Sequence, residues 1–300
     1  MDRLNQKHWR ILAPFLIVCA GTLWGIIGLF SRSLSEAGLN ALQIAGARCL
    51  VTAIILFFFL LLTKREYLKI RLSDFWIFIG TGVFSIALFN VLYFVCISKS
   101  TLAIASILLY TAPCFIIILS YFFFQERISI QKGIAIILAF VGCMYTTGII
   151  SGGSERPITG ITLIIGLGSG IAYALYSVIG RIALKKYNWL TVITYTFLFA
   201  SIPLFPYFKL TEVFSVAVAE NTLILNIISL GVLSTLLPFL LYTKGLEHMD
   251  TGKAALLTFV EPMVATIIGT TVFQEAFTRY TAIGIVLVIS SMILINYQKN

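Results

Sequence analysis

Thr258–Glu275 reads TFVEPMVATIIGTTVFQE, an apolar run long enough to cross a bilayer, with a carboxylate and a proline, Glu261 and Pro262, near its middle. The run has an echo at Tyr110–Glu126, YTAPCFIIILSYFFFQE. In both, a proline is followed by an apolar stretch that closes on Phe-Gln-Glu, thirteen residues from Pro113 to Glu126 and thirteen from Pro262 to Glu275. The offset between the copies is 149 residues, about half of the 300 in the chain. A duplicated chain with an ionisable group inside a span, in one copy only, points to a pore or a carrier.

The same offset extends well beyond this stretch. Gly21 meets Gly170, Trp24 meets Tyr173 and Arg32 meets Arg181. Gly82-Val83-Phe84-Ser85 meets Gly231-Val232-Leu233-Ser234, Tyr93 meets Tyr242, and Ser129 meets Thr278. Composition agrees with a membrane location: 59% of residues are hydrophobic, 11% are charged, and the mean hydropathy is +1.01. The formal charge of +9 does not imply nucleic acid, because the basic residues lie between apolar runs rather than on one patch. The five cysteines lie in or at the ends of apolar runs without a CxxC spacing, which reads as small apolar residues and not as a metal site.

Ten apolar runs reach spanning length: 11–31, 41–63, 75–97, 101–124, 130–149, 158–180, 189–208, 223–243, 253–273 and 280–297. The first reads as a retained helix, since it is long for a signal-peptide core and another span follows at once. Lys and Arg fall unevenly on the connections. Fifteen lie on the set that includes both termini, five on the other, and Arg48 lies within a span. That bias predicts a multi-pass protein of the cell membrane with both termini in the cytoplasm. Five spans per copy is an odd number, so the second copy enters the membrane upside down. Inverted repeats of this kind are a transporter plan with the substrate site at the midplane between the halves.

Two five-span repeats, the Trp24-Gly25 pair with Arg32 closing span one, proline in spans four and nine, and a Glu followed by Ser or Thr after those spans together resemble the EamA-type family of the drug/metabolite transporter superfamily. Tyr173-Ala174, where the first copy has Trp24-Gly25, departs from the pattern. The resemblance implies an all-α, ten-helix membrane protein in two inverted repeats, 11–149 and 158–297, with a cytoplasmic N-terminus at 1–10 and an external linker at 150–157. It implies a cavity lined by spans one, three, four, six, eight and nine. It also implies a secondary transporter, exporting amino acids or related amines without a cofactor. Efflux of drugs or small cations, choline-like uptake and a channel stand as alternatives. Expected partners are a small-molecule substrate, the lipid bilayer, a coupling proton or cation, and a second copy as a homodimer, with no nucleic acid.

The residues themselves nominate a site. Glu261 lies about eight residues into span nine, so ~12 Å deep; an intramembrane carboxylate faces a cavity or a partner by default. Its counterpart is Ala112, and a packing role is the bland alternative. Pro113 and Pro262 each remove a backbone donor and bend their spans, which would release the carbonyls of Leu109 and Thr258. Trp24, Tyr110 and Tyr173 fall well inside their spans, where an interfacial aromatic belt does not account for them. Tyr93, Tyr176 and Tyr242 are further aromatic candidates, and Asn90, Ser177 and Thr258 are candidate hydrogen-bonding groups. Arg48 is expected to snorkel outward, and Glu126 and Glu275 to cap or pair. An enzyme is not expected: the two histidines, His8 and His248, lie outside the apolar runs and no HExxH, GxSxG or phosphate-cradling loop is present.

Overall fold

A computed structural model describes residues 3–147, 149, 159–219 and 221–296. The expected linker 150–157 lies outside them, as do positions 1, 2, 158 and 297 at the margins of the expected segments. Span one is α1 (Arg3–Gly25) continued by α2 (Ile27–Glu36), so most of the expected N-terminal tail is the first turns of α1. Span two is α3 (Ala41–Thr63). Span three runs through α4 (Phe75–Phe78), a π-helical stretch (Ile79–Ala87) and α5 (Leu88–Lys99). Span four is split into α6 (Leu102–Leu109) and α7 (Ala112–Phe124), and span five is α8 (Ile130–Thr146).

The second half repeats the order. It holds α9 (Gly160–Leu184) and α10 (Trp189–Phe208), followed by a short α11 (Leu210–Ala219). Span eight is α12 (Asn221–Gly231), a π-helical stretch (Val232–Leu236) and α13 (Leu237–Leu246). Span nine is the split pair α14 (Thr251–Leu257) and α15 (Val260–Thr271), and α16 (Arg279–Asn296) is span ten. Among the described residues no strand occurs, nine segments are long and apolar enough to cross a membrane, and α8 is a tenth, shorter apolar helix. α11 was not legible in the sequence, which is too short and mixed there for a span. Its Leu210, Phe214 and Val218 recur every fourth residue and are exposed, while Val213 is buried against the bundle.

Helix partners are exchanged two ways at the 149-residue offset. α1 packs on α13 and α15, and α9 packs on α5 and α7; α3 pairs with α10 and α8 with α16. Lipid is as apolar as leucine, so such pairs depend on close approach and on interhelical hydrogen bonds. A methyl on Gly21 would stand 2.5 Å from Val260 Cγ1, and one on Gly170 would stand 2.9 Å from Thr111 Oγ1. Gly21–Val260 and Gly170–Thr111 are the same contact read in the two directions of the repeat. The Thr52 hydroxyl donates to the Gly231 carbonyl at 3.0 Å, and Thr196 to Thr81 at 2.7 Å. Each such bond contributes about 0.6–2 kcal/mol.

Proline explains the split spans. The ring of Pro113 or Pro262 denies its own N–H and crowds the carbonyl four residues back, so the helix breaks at Tyr110–Thr111 and at Thr258–Phe259. Inside lipid the freed groups need partners from the protein. The Thr111 hydroxyl donates to the Leu108 carbonyl at 2.6 Å and Thr258 to the Ala255 carbonyl at 2.7 Å. The Thr258 carbonyl, expected to be free, accepts the Glu261 N–H at 2.9 Å.

The Phe-Gln-Glu echo also has a local cause. Gln125 and Gln274 adopt left-handed conformations, φ 56° and 55°. The next N–H groups then reach back to the Ser120 and Gly269 carbonyls at 3.3 and 3.0 Å. Both spans therefore end in the same turn, which throws Glu126 and Glu275 across the ends of the bundle.

Candidate functional site

One chamber lies where the split spans four and nine meet span six, and a second between spans one, three, six and eight. The first is lined by Leu109, Tyr110, Ala112 and Pro113 from span four, by Thr258, Phe259 and Glu261 from span nine, and by Tyr173 from span six. At the 149-residue offset Leu109 corresponds to Thr258, Tyr110 to Phe259 and Ala112 to Glu261. Three matched pairs of positions thus face the chamber from the two copies, and Pro113 and Tyr173 line it without their counterparts. The Tyr110 and Phe259 rings stand tilted by 53° to each other with centroids 6.1 Å apart. Glu261 breaks the symmetry. Its carboxylate is half-buried and has no hydrogen bond or ion pair among the described residues. It sits in the first turn of α15, where the helix dipole favours a negative charge.

The second chamber is lined by Trp24, Ile86, Tyr173, Tyr176, Ser177, Phe239 and Tyr242. Trp24 and Tyr173, matched positions of the repeat, both face it, and Tyr173 is common to the two chambers. Trp24 stands edge-on to Phe239 at 5.2 Å and beside Tyr242 at 5.4 Å. Two hydrogen bonds fix this wall: Tyr176 with the Thr243 hydroxyl at 2.6 Å, and Tyr242 with the Ser177 hydroxyl at 2.7 Å. Buried hydroxyls tied in this way hold their rings in one orientation, so the lining is largely preformed.

The structure brings Trp24, Tyr110, Tyr173, Tyr176, Ser177, Tyr242, Thr258 and Glu261 to the chambers, with Pro113 in the wall of the first. Pro262 is buried in the first turn of α15 and does not line either chamber. Two other candidates stand apart. Tyr93 bonds Ser106 at 2.9 Å and stacks near Phe89, which lies edge-on to Tyr173 at 5.4 Å. Asn90 is buried and donates to the Ile86 carbonyl of its own helix at 2.7 Å. Sequence reasoning missed Phe259 and Phe239. They are the counterparts of Tyr110 and Asn90, so applying the offset to the candidates would have found both. Arg48 is half-buried. Its Nε is enclosed with no hydrogen-bond partner, and no carboxylate lies within 4 Å, among the described residues. The π-helical stretches of spans three and eight end at matched residues, Ala87 and Leu236; Ile86 lines the second chamber from within the first stretch, and Phe239 and Tyr242 follow the second. Wide turns of this type recur at functional sites, where they re-aim the side chains that follow.

A model of the EamA-like transporter family matches residues 11–148 and 160–297. An uncharacterized transporter of Archaeoglobus fulgidus is 29% identical over 294 residues, 97% of this chain and 99% of its own length. The uncharacterized inner membrane transporter YicL of Salmonella typhimurium is 26% identical over 298 residues, 94% of each chain. A crystal structure matches with a TM-score of 0.75 over 94% of this chain and 95% of that chain at 16% identity, a likeness of fold.

Proposed function

The chain belongs to the EamA-like transporter family and is a membrane transporter of small molecules, not an enzyme; from that premise we propose that it is a secondary transporter of amino acids or related amine-bearing metabolites. In this reading it works by alternating access across the cell membrane, both termini are cytoplasmic, and export is the direction.

One observation carries the reading. A chamber faced by three matched pairs of residues from the two copies is apolar or aromatic apart from Thr258 and one unpaired carboxylate, Glu261. A carboxylate held away from water costs several kcal/mol unless a cation offsets it. A substrate ammonium supplies that cation, and a proton or small cation supplies it in the empty carrier. Substrate and coupling ion then compete for one group. The rings of Tyr110, Tyr173 and Phe259 add cation–π attraction, about 0.5–2 kcal/mol per contact. A plain anion meets a like charge here, and a sugar phosphate would call for several cations at the chamber, where no Lys or Arg is among the lining residues.

The test is a thermal-shift screen of amino acids, amines and anions on purified protein, since a ligand of the folded state raises the melting temperature. The strongest ligand is then followed in counterflow with right-side-out and inside-out vesicles. Stabilisation by organic anions but not amines, or flux without counterflow, would refute the proposal. Counterflow in the importing sense alone would refute the direction.

A further inference from the structure

The two ends of the bundle are related by the 149-residue offset, yet their side chains are arranged differently. At the end that carries both termini, the Glu126 carboxylate accepts the N–H of Thr251 at 2.8 Å and of Gly252 at 3.2 Å. This ties the end of span four to the start of span nine. The Lys132 ammonium, almost fully buried, lies 3.8 Å from Glu126 and 3.3 Å from Asp250. Arg181 donates to the carbonyls of Leu246, at 3.2 Å, and Met249, and its guanidinium stands 5.6 Å from the centre of the Phe124 ring.

The counterparts at the opposite end are Glu275, Arg32 and Phe273. Arg32 likewise stands over Phe273, at 4.4 Å. There the likeness stops. Glu275 is 62% exposed, with Arg32 at 3.7 Å, and it accepts no N–H of α6 among the described residues. Leu102, the counterpart of Thr251, is exposed, and Arg32 donates to no backbone carbonyl among the described residues. One plan is therefore drawn in two ways, engaged at one end and released at the other.

Inverted repeats exchange their conformations when the carrier changes sides, so each contact at one end specifies its counterpart in the opposite state. We propose that Glu126 and Glu275 are alternating latches: Glu126 holds the terminus-bearing end shut in the state described, and in the opposite state Glu275 closes the other end by capping the amides of Leu102 and Ala103. In that state Arg32 takes the carbonyls of Ile97 and Ser100, and Glu126 falls back on Arg181, as Glu275 now rests on Arg32. Carboxylate–amide bonds are charge-assisted and suit the task, because each forms only when its end is closed. Lys132 has the uncharged Thr281 as counterpart, so it strengthens one latch only and biases the carrier toward the state described.

The test needs no substrate. Spin-label pairs are placed on full-length protein in nanodiscs, in a background without the five native cysteines: Ile128→Cys with Lys253→Cys across one end, Leu102→Cys with Phe277→Cys across the other. Glu126→Gln is expected to lengthen the first distance and shorten the second, shifting the ratio of the two populations roughly tenfold. Adding Glu275→Gln is expected to abolish the short second distance. Lys132→Thr, which leaves both carboxylates in place, is expected to shift the ratio in the same direction and decides the matter should Glu126→Gln not fold. Lengthening of the first distance without shortening of the second would make Glu126 a static cap and overturn the proposal. A short second distance that persists without the Glu275 carboxylate would overturn it equally.

Discussion

Tyr173 is the residue whose loss should cost the most binding for the least structure. It is the wall common to both chambers, half-buried, and its hydroxyl makes no hydrogen bond among the described residues. Tyr173→Ala removes the ring from a site where a substrate cation would lie against it. A cation–π contact of about 0.5–2 kcal/mol converts, at 1.4 kcal/mol per decade, to a loss of about two- to thirtyfold in Kd. Tyr173→Phe keeps the ring and removes an unbonded hydroxyl, so it should stay within about twofold of the parent, well under 1 kcal/mol. Tyr207, 52% exposed at the end of α10, supplies the control: Tyr207→Ala should leave Kd unchanged. The assay is the ligand-induced melting shift of each purified variant, titrated with the amine that most stabilises the parent. Equal Kd for Tyr173→Ala and Tyr207→Ala, with both proteins folded, would refute the placing of substrate against this wall.

Glu261→Gln keeps the shape and removes the charge, so transport in vesicles should slow and lose its pH dependence; an unchanged rate and pH profile would make Glu261 a packing residue. A reporter fused after Asn300 should report the cytoplasm and one inserted near Gly153 the exterior, and the reverse pattern would undo the topology. The Asp250 carboxyl is pushed up to about 6 by burial and by Glu126 beside it, while Lys132 pulls it down. A raised pKa means that the closed end holds the proton. Closure therefore gains its full contribution at low pH and loses it as pH rises through about 6. The spin-pair distance across that end should lengthen between about pH 4 and pH 6, and Asp250→Asn should flatten the response. A methyl on Gly25 would stand 2.6 Å from Val264 Cβ and 2.8 Å from the Glu261 carbonyl, whereas Gly180 has open space. Gly25→Ala should destabilise by about 1–3 kcal/mol, and Gly180→Ala should stabilise by up to about 1 kcal/mol through helix propensity; thermal unfolding reads both, and equal effects would refute the close approach.

Much of this protein is local in origin and was legible in the chain. Span length, proline position and the charge of the connections each depend on a few consecutive residues, so composition and pattern gave the membrane class and the all-helical plan. The 149-residue offset gave the inverted repeat, and the Ala112–Glu261 mismatch marked the carboxylate that sets the copies apart at the first chamber. The sequence marked the Phe-Gln-Glu echo as a spacing, but only the fold shows that Gln125 and Gln274 turn left-handed and aim two glutamates at opposite ends. Which faces meet was decided by tertiary structure alone. In a soluble protein, hydrophobic patterning separates inside from outside. Here Phe78 and Phe197 are fully buried while Phe58 and Phe122 are exposed toward the bilayer, and no local rule distinguishes them, because lipid solvates an aromatic ring about as well as the bundle does. For that reason Phe259 and Phe239 emerged at the chambers, Asn90 turned to its own helix, and Arg48 kept an enclosed Nε without a partner: each depends on which helix stands opposite, and close approach at residues such as Gly21 and Gly170 sets that choice.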